Sequence, residues 1–138
     1  MKIPTSAAIV GARFRPPAAD VLNCLPSGCT LVAQREPSNP HDPNAIMVLC
    51  EESALHEALA LLDLSADTIE LHEAGYHLGY IPRDQAEWMA EHFDAVGGQI
   101  TGGLTFSAEG KPQIELELEQ DGPEESLSVD AEGSQPSD

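Results

Sequence analysis

The sequence predicts a small, mostly β fold: an antiparallel barrel or half-barrel carrying two or three helices. Three observations predict it. Six or so short apolar segments are separated by turn-forming residues, whereas two longer segments carry apolar residues at helical spacing. The last apolar segment alternates strictly, with Ile114, Leu116 and Leu118 on one face and Glu115, Glu117 and Glu119 on the other. Closing such strands into a barrel removes the edges on which other chains could pair. A chain of 138 residues has room for one domain whose core stands without metal or disulfide staples.

Residues 7–14 read as the first strand, and Arg15-Pro16-Pro17 ends it. A short helix follows, with Ala18, Val21, Leu22 and Leu25 at i, i+3, i+4 and i+7, and Pro26-Ser27-Gly28 stops it. Residues 30–35 and 45–50 are apolar strands flanking a proline-rich loop. Residues 51–64 form an acidic amphipathic helix, and residues 68–72 add a short strand or continue in helical form. Residues 76–82 return to strand character and lead into a helix over 83–96. Ala86, Met89, Ala90, Phe93 and Val96 make its apolar stripe, and Gly97-Gly98 caps it. Residues 99–107 and 112–119 close as a hairpin across Ala108-Glu109-Gly110-Lys111. From residue 120 the chain is rich in Ser, Gly, Pro and acid, a composition with too little apolar surface to offset the entropy of ordering. Residues 120–138 are expected to be a disordered acidic tail, leaving 1–119 as the domain.

Charge divides the chain more sharply than its net −18 suggests. Residues 1–50 hold Lys2, Arg13, Arg15 and Arg35 against Asp20, Glu36 and Asp42, whereas residues 51–138 hold only Arg83 and Lys111 against 21 carboxylates. An anionic ligand is therefore expected to approach the N-terminal half or the Arg83 side, and nonspecific duplex binding through a broad basic face is not expected. Neither a secretory leader nor a membrane-length apolar run is present, so a cytoplasmic protein without membrane partners is expected. Cys24, Cys29 and Cys50 fit no zinc or disulfide spacing and read as reduced packing thiols. His72 and His77, near Glu70 and Glu73, match no familiar metal spacing, and no cofactor is expected. GxSxG, P-loop and HExxH patterns are all missing, so the chain is not expected to be an enzyme.

The richest stretch is Q-R-E-P-S-N-P-H-D-P-N-A-I-M-V, residues 34–48. Pro37, Pro40 and Pro43 fix φ and push the preceding residues out of helical geometry, and Asn39, Asp42 and Asn44 are suited to Asx turns. A loop with little entropy left to lose suits either presentation of side chains to a ligand or a tight connection between strands.

Three blocks in order, V-G-A-R-F-R-P (residues 10–16), R-E-P-S-N-P-H-D-P-N-A-I (35–46) and L-G-Y-I-P-R (78–83), resemble the HIRAN domain over roughly residues 7–119. The resemblance implies an OB-like β-barrel, found fused to SWI/SNF-type helicases or alone in bacteria and phages. In helicase-fused members it implies binding of single-stranded DNA at a free 3′ end. Residue by residue, the implied contacts are Arg13 and Phe14, His41 and Asp42, and Tyr80. Asp42 would accept the proton of a terminal 3′ hydroxyl, which an internal nucleotide lacks. Phe14, His41 and Tyr80 would offer flat faces to unstacked bases, and Arg13, helped by Arg15 or Arg83, would neutralise phosphate.

Two departures stand out. His41 occupies a position where helicase-fused members have a larger aromatic, and residues 51–74 form an acidic insertion with seven carboxylates. Other readings stay open at each position: Phe14 and Tyr80 as core, Asp42 as a turn-former before proline, Arg35 as an ion-pair partner of a nearby acid. A second functional reading is an acidic protein-binding module or DNA mimic. Its carboxylates would occupy the basic groove of a DNA-processing protein, in a defence or counter-defence role.

Overall fold

The alternation and turn chemistry produce six antiparallel strands, and a computed structural model describes residues 2–119 of the chain. In order they are β1 (Lys2–Ala8), α1 (Ala18–Cys24), β2 (Thr30–Arg35), β3 (Ile46–Cys50), α2 (Glu52–Leu62), β4 (Tyr76–Tyr80), α3 (Arg83–Asp94), β5 (Gln99–Phe106) and β6 (Pro112–Glu119). The strands lie in the order β1-β6-β5-β2-β3-β4.

The two ends of that sheet meet. Ile9 still donates to the carbonyl of Pro112, the first residue of β6, at 3.1 Å, yet the next residue, Val10, exchanges both backbone hydrogen bonds with Tyr80 of β4, at 2.8 and 2.9 Å. This bridge joins the outer strands into a barrel, as the edge argument requires. It depends on Gly79, where an added Cβ would lie 2.5 Å from the Val10 carbonyl oxygen.

One apolar cluster fills the interior: Leu31, Ala33, Ile46, Val48, Leu104, Ile114, Leu116 and Leu118 from the strands, with Val21, Leu22, Leu55, Leu59, Met89 and Phe93 from the helices. Strand β3 is buried on both faces, because Met47 and Leu49 pack with Val32, Ala74 and Tyr80 in a second small cluster. The register between β3 and β4 shifts at Val48/Leu49, where Leu49 faces His77 and Val48 faces Gly79, so Leu78 is an extra residue on β4.

Two expected elements differ. The strand expected over residues 7–14 ends at Ala8, because Gly11 adopts φ 83° and residues Ala12–Phe14 turn into a 3-10 helix; in compensation the strand begins five residues earlier, at Lys2. The strand suggested over 68–72 is absent: Ala66–Thr68 form a 3-10 turn capped by Ser65, and His72 makes one isolated bridge to Gly75. The tail expected at 120–138 lies outside the described residues. No helix among the described residues is long and apolar enough to cross a membrane. Cys24, Cys29 and Cys50 are free thiols, and burial pushes that of Cys50 up to about 12.

Candidate functional site

Gly11 turns the chain out of the barrel seam, and the 3-10 turn that follows lifts Arg13 and Phe14 off the surface. Phe14 is 73% exposed, and the Arg13 guanidinium carbon lies 4.7 Å from its ring centroid. The exposed ring and the guanidinium over it form one flat, cationic surface beside the barrel seam. Arg15 points back instead, its Nε donating at 3.5 Å to the carbonyl of His77. Phe14, Arg15, Pro16 and Pro17 form one wall of a cleft of about 310 Å³, closed by Ile69, Glu70, Tyr76 and His77.

The proline loop is held by its own polar side chains. Asn39 Oδ1 accepts from the backbone N–H groups of His41 and Asp42 at 2.8 and 3.0 Å, and Asp42 Oδ1 accepts from Asn44 N–H at 2.9 Å. Both are the Asx turns that the sequence predicts. At the loop's base, Arg35 Nη1 donates to Pro43 O at 2.9 Å while its Nε pairs with Asp94 of α3 at 3.0 Å. Arg35 is thus a structural clamp between loop and helix.

Asp42 keeps its second oxygen, Oδ2, toward Arg83 Nε at 3.9 Å, with its side chain only 16% exposed. His41 is exposed at the loop's turn.

Tyr80 ties the three sequence blocks together. Its backbone pairs with Val10 of the first block, and its hydroxyl donates to Glu36 Oε1 of the second at 2.8 Å. The same carboxylate oxygen accepts from Asn39 Nδ2 at 2.8 Å. Burial, then the hydrogen bond to Glu36, push the Tyr80 hydroxyl up to about 12, so it stays protonated and donating. Beside it His77, only 3% exposed, meets the Tyr80 ring edge-on at 4.8 Å, and its Nε2 lies 3.0 Å from Gly79 O. A carbonyl can only accept, so Nε2 carries the hydrogen. Burial foremost, then the positive charge of Arg15, lower the His77 imidazole to about 4, which keeps it neutral.

Of the residues singled out from sequence, the structure joins Phe14 to Arg15 along the cleft, Asp42 to Arg83 across an ion pair, and Tyr80 to both the first block and the loop. Tyr80's ring packs against the outer cluster and its hydroxyl is engaged. Sequence reasoning missed Glu36 as its acceptor and His77 as the buried neighbour. Glu36 lies 44 positions from Tyr80, beyond any local periodicity, and the polar ring of His77 carries no local sign of its burial between His72 and Tyr80. Among the described residues no cluster of three or more His, Cys, Asp or Glu is placed to hold a metal ion.

Comparison with known proteins bears on the same blocks. The chain resembles a solved protein from Lactobacillus plantarum at 21% identity, covering 86% of this chain and 97% of that one with a TM-score of 0.57. It also matches the HIRAN domain of human HLTF at 21% identity, covering 83% of this chain and 72% of that one with a TM-score of 0.49. No curated protein matches significantly. Residues 5–120, which contain all three blocks and every element from β2 to β6 whole, match the sequence model described as the HIRAN domain, and the chain belongs to that family.

Proposed function

We propose that this protein is a non-catalytic nucleic-acid-binding module that receives the 3′ end of single-stranded DNA. The observation that carries the reading is Phe14, 73% exposed with Arg13 against its ring, on a barrel whose second and third blocks bring Asp42 and Arg83 together. The open face of Phe14 stacks an unpaired base without regard to sequence. Arg13, Arg15 and Arg83 supply phosphate donors, the last from the first residue of α3. Asp42 Oδ2 accepts the 3′ hydroxyl hydrogen, and the Asx turns and the Arg35 clamp hold the carboxylate ready, so little ordering remains to oppose binding. His41 adds a second, smaller face. A cytoplasmic setting suits such a ligand. Titrating labelled oligonucleotides with free or blocked 3′ ends tests the reading, which requires the free end to bind more tightly.

An acidic mimic is the second reading, supported by Glu115 and Glu117, which stand exposed along β6 about 7 Å apart. On that reading no oligonucleotide binds, and a basic DNA-processing protein is captured instead.

A further inference from the structure

The single tryptophan of the chain is on the wrong side of its helix for packing. Helix α3 buries Ala86, Met89, Ala90 and Phe93, yet Trp88 is 49% exposed. At about 3.6 residues per turn, Asp84, Glu87, Trp88, Glu91 and Ala95 share the opposite, outward face. All five are exposed. His92 lies one turn on, its ring nearly perpendicular to the indole at 6.0 Å, and about half of the Trp88 surface remains exposed. The helix has one arginine, Arg83, about 140° around the axis from Trp88. An indole with three carboxylates along one side of it on the same helix face repels phosphate and attracts guanidinium, which stacks on the ring while its edge meets the acids.

We propose that the Trp88 face of α3 docks a cationic, arginine-bearing segment of a protein partner. Charge complementarity selects the occupant. The chain's own residues 121–138 carry six carboxylates and no lysine or arginine, and a second copy carries the same net −18 and meets the same three acids in a symmetric contact, so neither complements this face. The surface is independent of the site for DNA: none of the residues assigned to nucleic acid belongs to it. Trp88 supplies the anchor that concentrates binding energy at protein interfaces, and Asp84, Glu87 and Glu91 supply steering and register.

The test uses the full chain and a fluorophore-labelled peptide of alternating arginine and leucine, with its lysine counterpart as control. The arginine peptide should bind in the micromolar range, more tightly than the lysine one, and shift the Trp88 emission, which reports this face alone. Trp88→Ala, a surface change to a strong helix former, should weaken binding about tenfold by peptide anisotropy. Asp84→Asn, Glu87→Gln and Glu91→Gln together should weaken it further and flatten its salt dependence. Oligonucleotide affinity should be unchanged by Trp88→Ala, so failure of the DNA reading and failure of this one are separable. Three outcomes each overturn the proposal: no binding up to about 1 mM peptide, unaltered Trp88 emission at saturation, or equal binding by the Trp88→Ala protein.

Discussion

Tyr80 donates its phenolic hydrogen to Glu36 Oε1 at 2.8 Å, while its backbone N–H and carbonyl close the barrel against Val10. One residue therefore fixes both the turn that carries Arg13 and Phe14 and the loop that carries His41 and Asp42. Its side chain acts as a strut between those two segments, and their relative placement is set by the fold before any ligand arrives.

Removing the hydroxyl tests that strut. Tyr80→Phe should lower stability by about 1–2 kcal/mol, because Glu36 keeps its 2.8 Å bond from Asn39 within the loop but loses its equally short tether to β4. Urea denaturation measures the loss, and amide exchange at His41, Asp42 and Asn44 should quicken. Unchanged exchange in the loop would mean that the Asx turns alone hold it.

Barrel closure makes a sharper demand at Gly79. A methyl group there meets the Val10 carbonyl oxygen at 2.5 Å and the Ile9 side chain at 3.2 Å, and backbone cannot move aside cheaply. Gly79→Ala should cost about 2 kcal/mol or more and lose protection of the Val10 and Tyr80 amides. A protein as stable as the wild type would show that the bridge contributes little.

His77 links stability to pH. Its folded-state value, about 4, lies below the ordinary 6.5, so between those values the unfolded chain binds more protons than the folded one. The stability it contributes is complete above pH 6.5 and is lost as pH falls toward 4, with a slope of at most about 1.4 kcal/mol per pH unit. His77→Gln can still donate to Gly79 O and should flatten that limb in denaturation midpoints taken from pH 7 to 4. Parallel limbs for the two proteins would place the acid sensitivity elsewhere.

Much of this fold was legible in local pattern, and the failures have physical causes. Helix α3 starts at the expected Arg83 because Pro82 fixes the entry and the stripe of Ala86, Met89, Ala90 and Phe93 is unbroken; it ends at Asp94, two residues short of the expected Val96, whose side chain is exposed. The β5–β6 hairpin follows the strict alternation of Ile114, Leu116 and Leu118. Strand β1 begins before its expected position because Lys2, Pro4 and Ser6 face solvent along half of it and hide the apolar pattern, while Ile9 and Val10 look like strand but lie at the crossing between two edges. At the site, the Asx turns of the loop followed from neighbouring residues. The Tyr80–Glu36 and Asp42–Arg83 contacts did not, since register between distant strands decides them.

Few cations are available to a nucleic acid, because Arg35 is committed to Asp94 and Pro43. With Arg13, Arg15 and Arg83 as the phosphate donors, log K against log salt should slope about −1 to −3. Deleting residues 121–138, which carry six carboxylates, should strengthen binding modestly. A steep slope, or weaker binding after deletion, would show that another surface makes the contact.

The role of Asp42 is tested most directly by competing an oligonucleotide ending in a free 3′ hydroxyl against the same strand ending in a 3′ phosphate. The free end should bind more tightly, since a terminal phosphate would bring negative charge against a carboxylate that is 16% exposed. Asp42→Asn keeps an oxygen for the Asn44 turn while removing the charge, and Asp42→Ala removes both; each should erase the preference, costing the free end about 1.5–3 kcal/mol. Arg13→Ala should weaken both ligands alike. Equal binding of the two strands by the wild type, left unaltered by either Asp42 substitution, would contradict recognition of the 3′ end at this site.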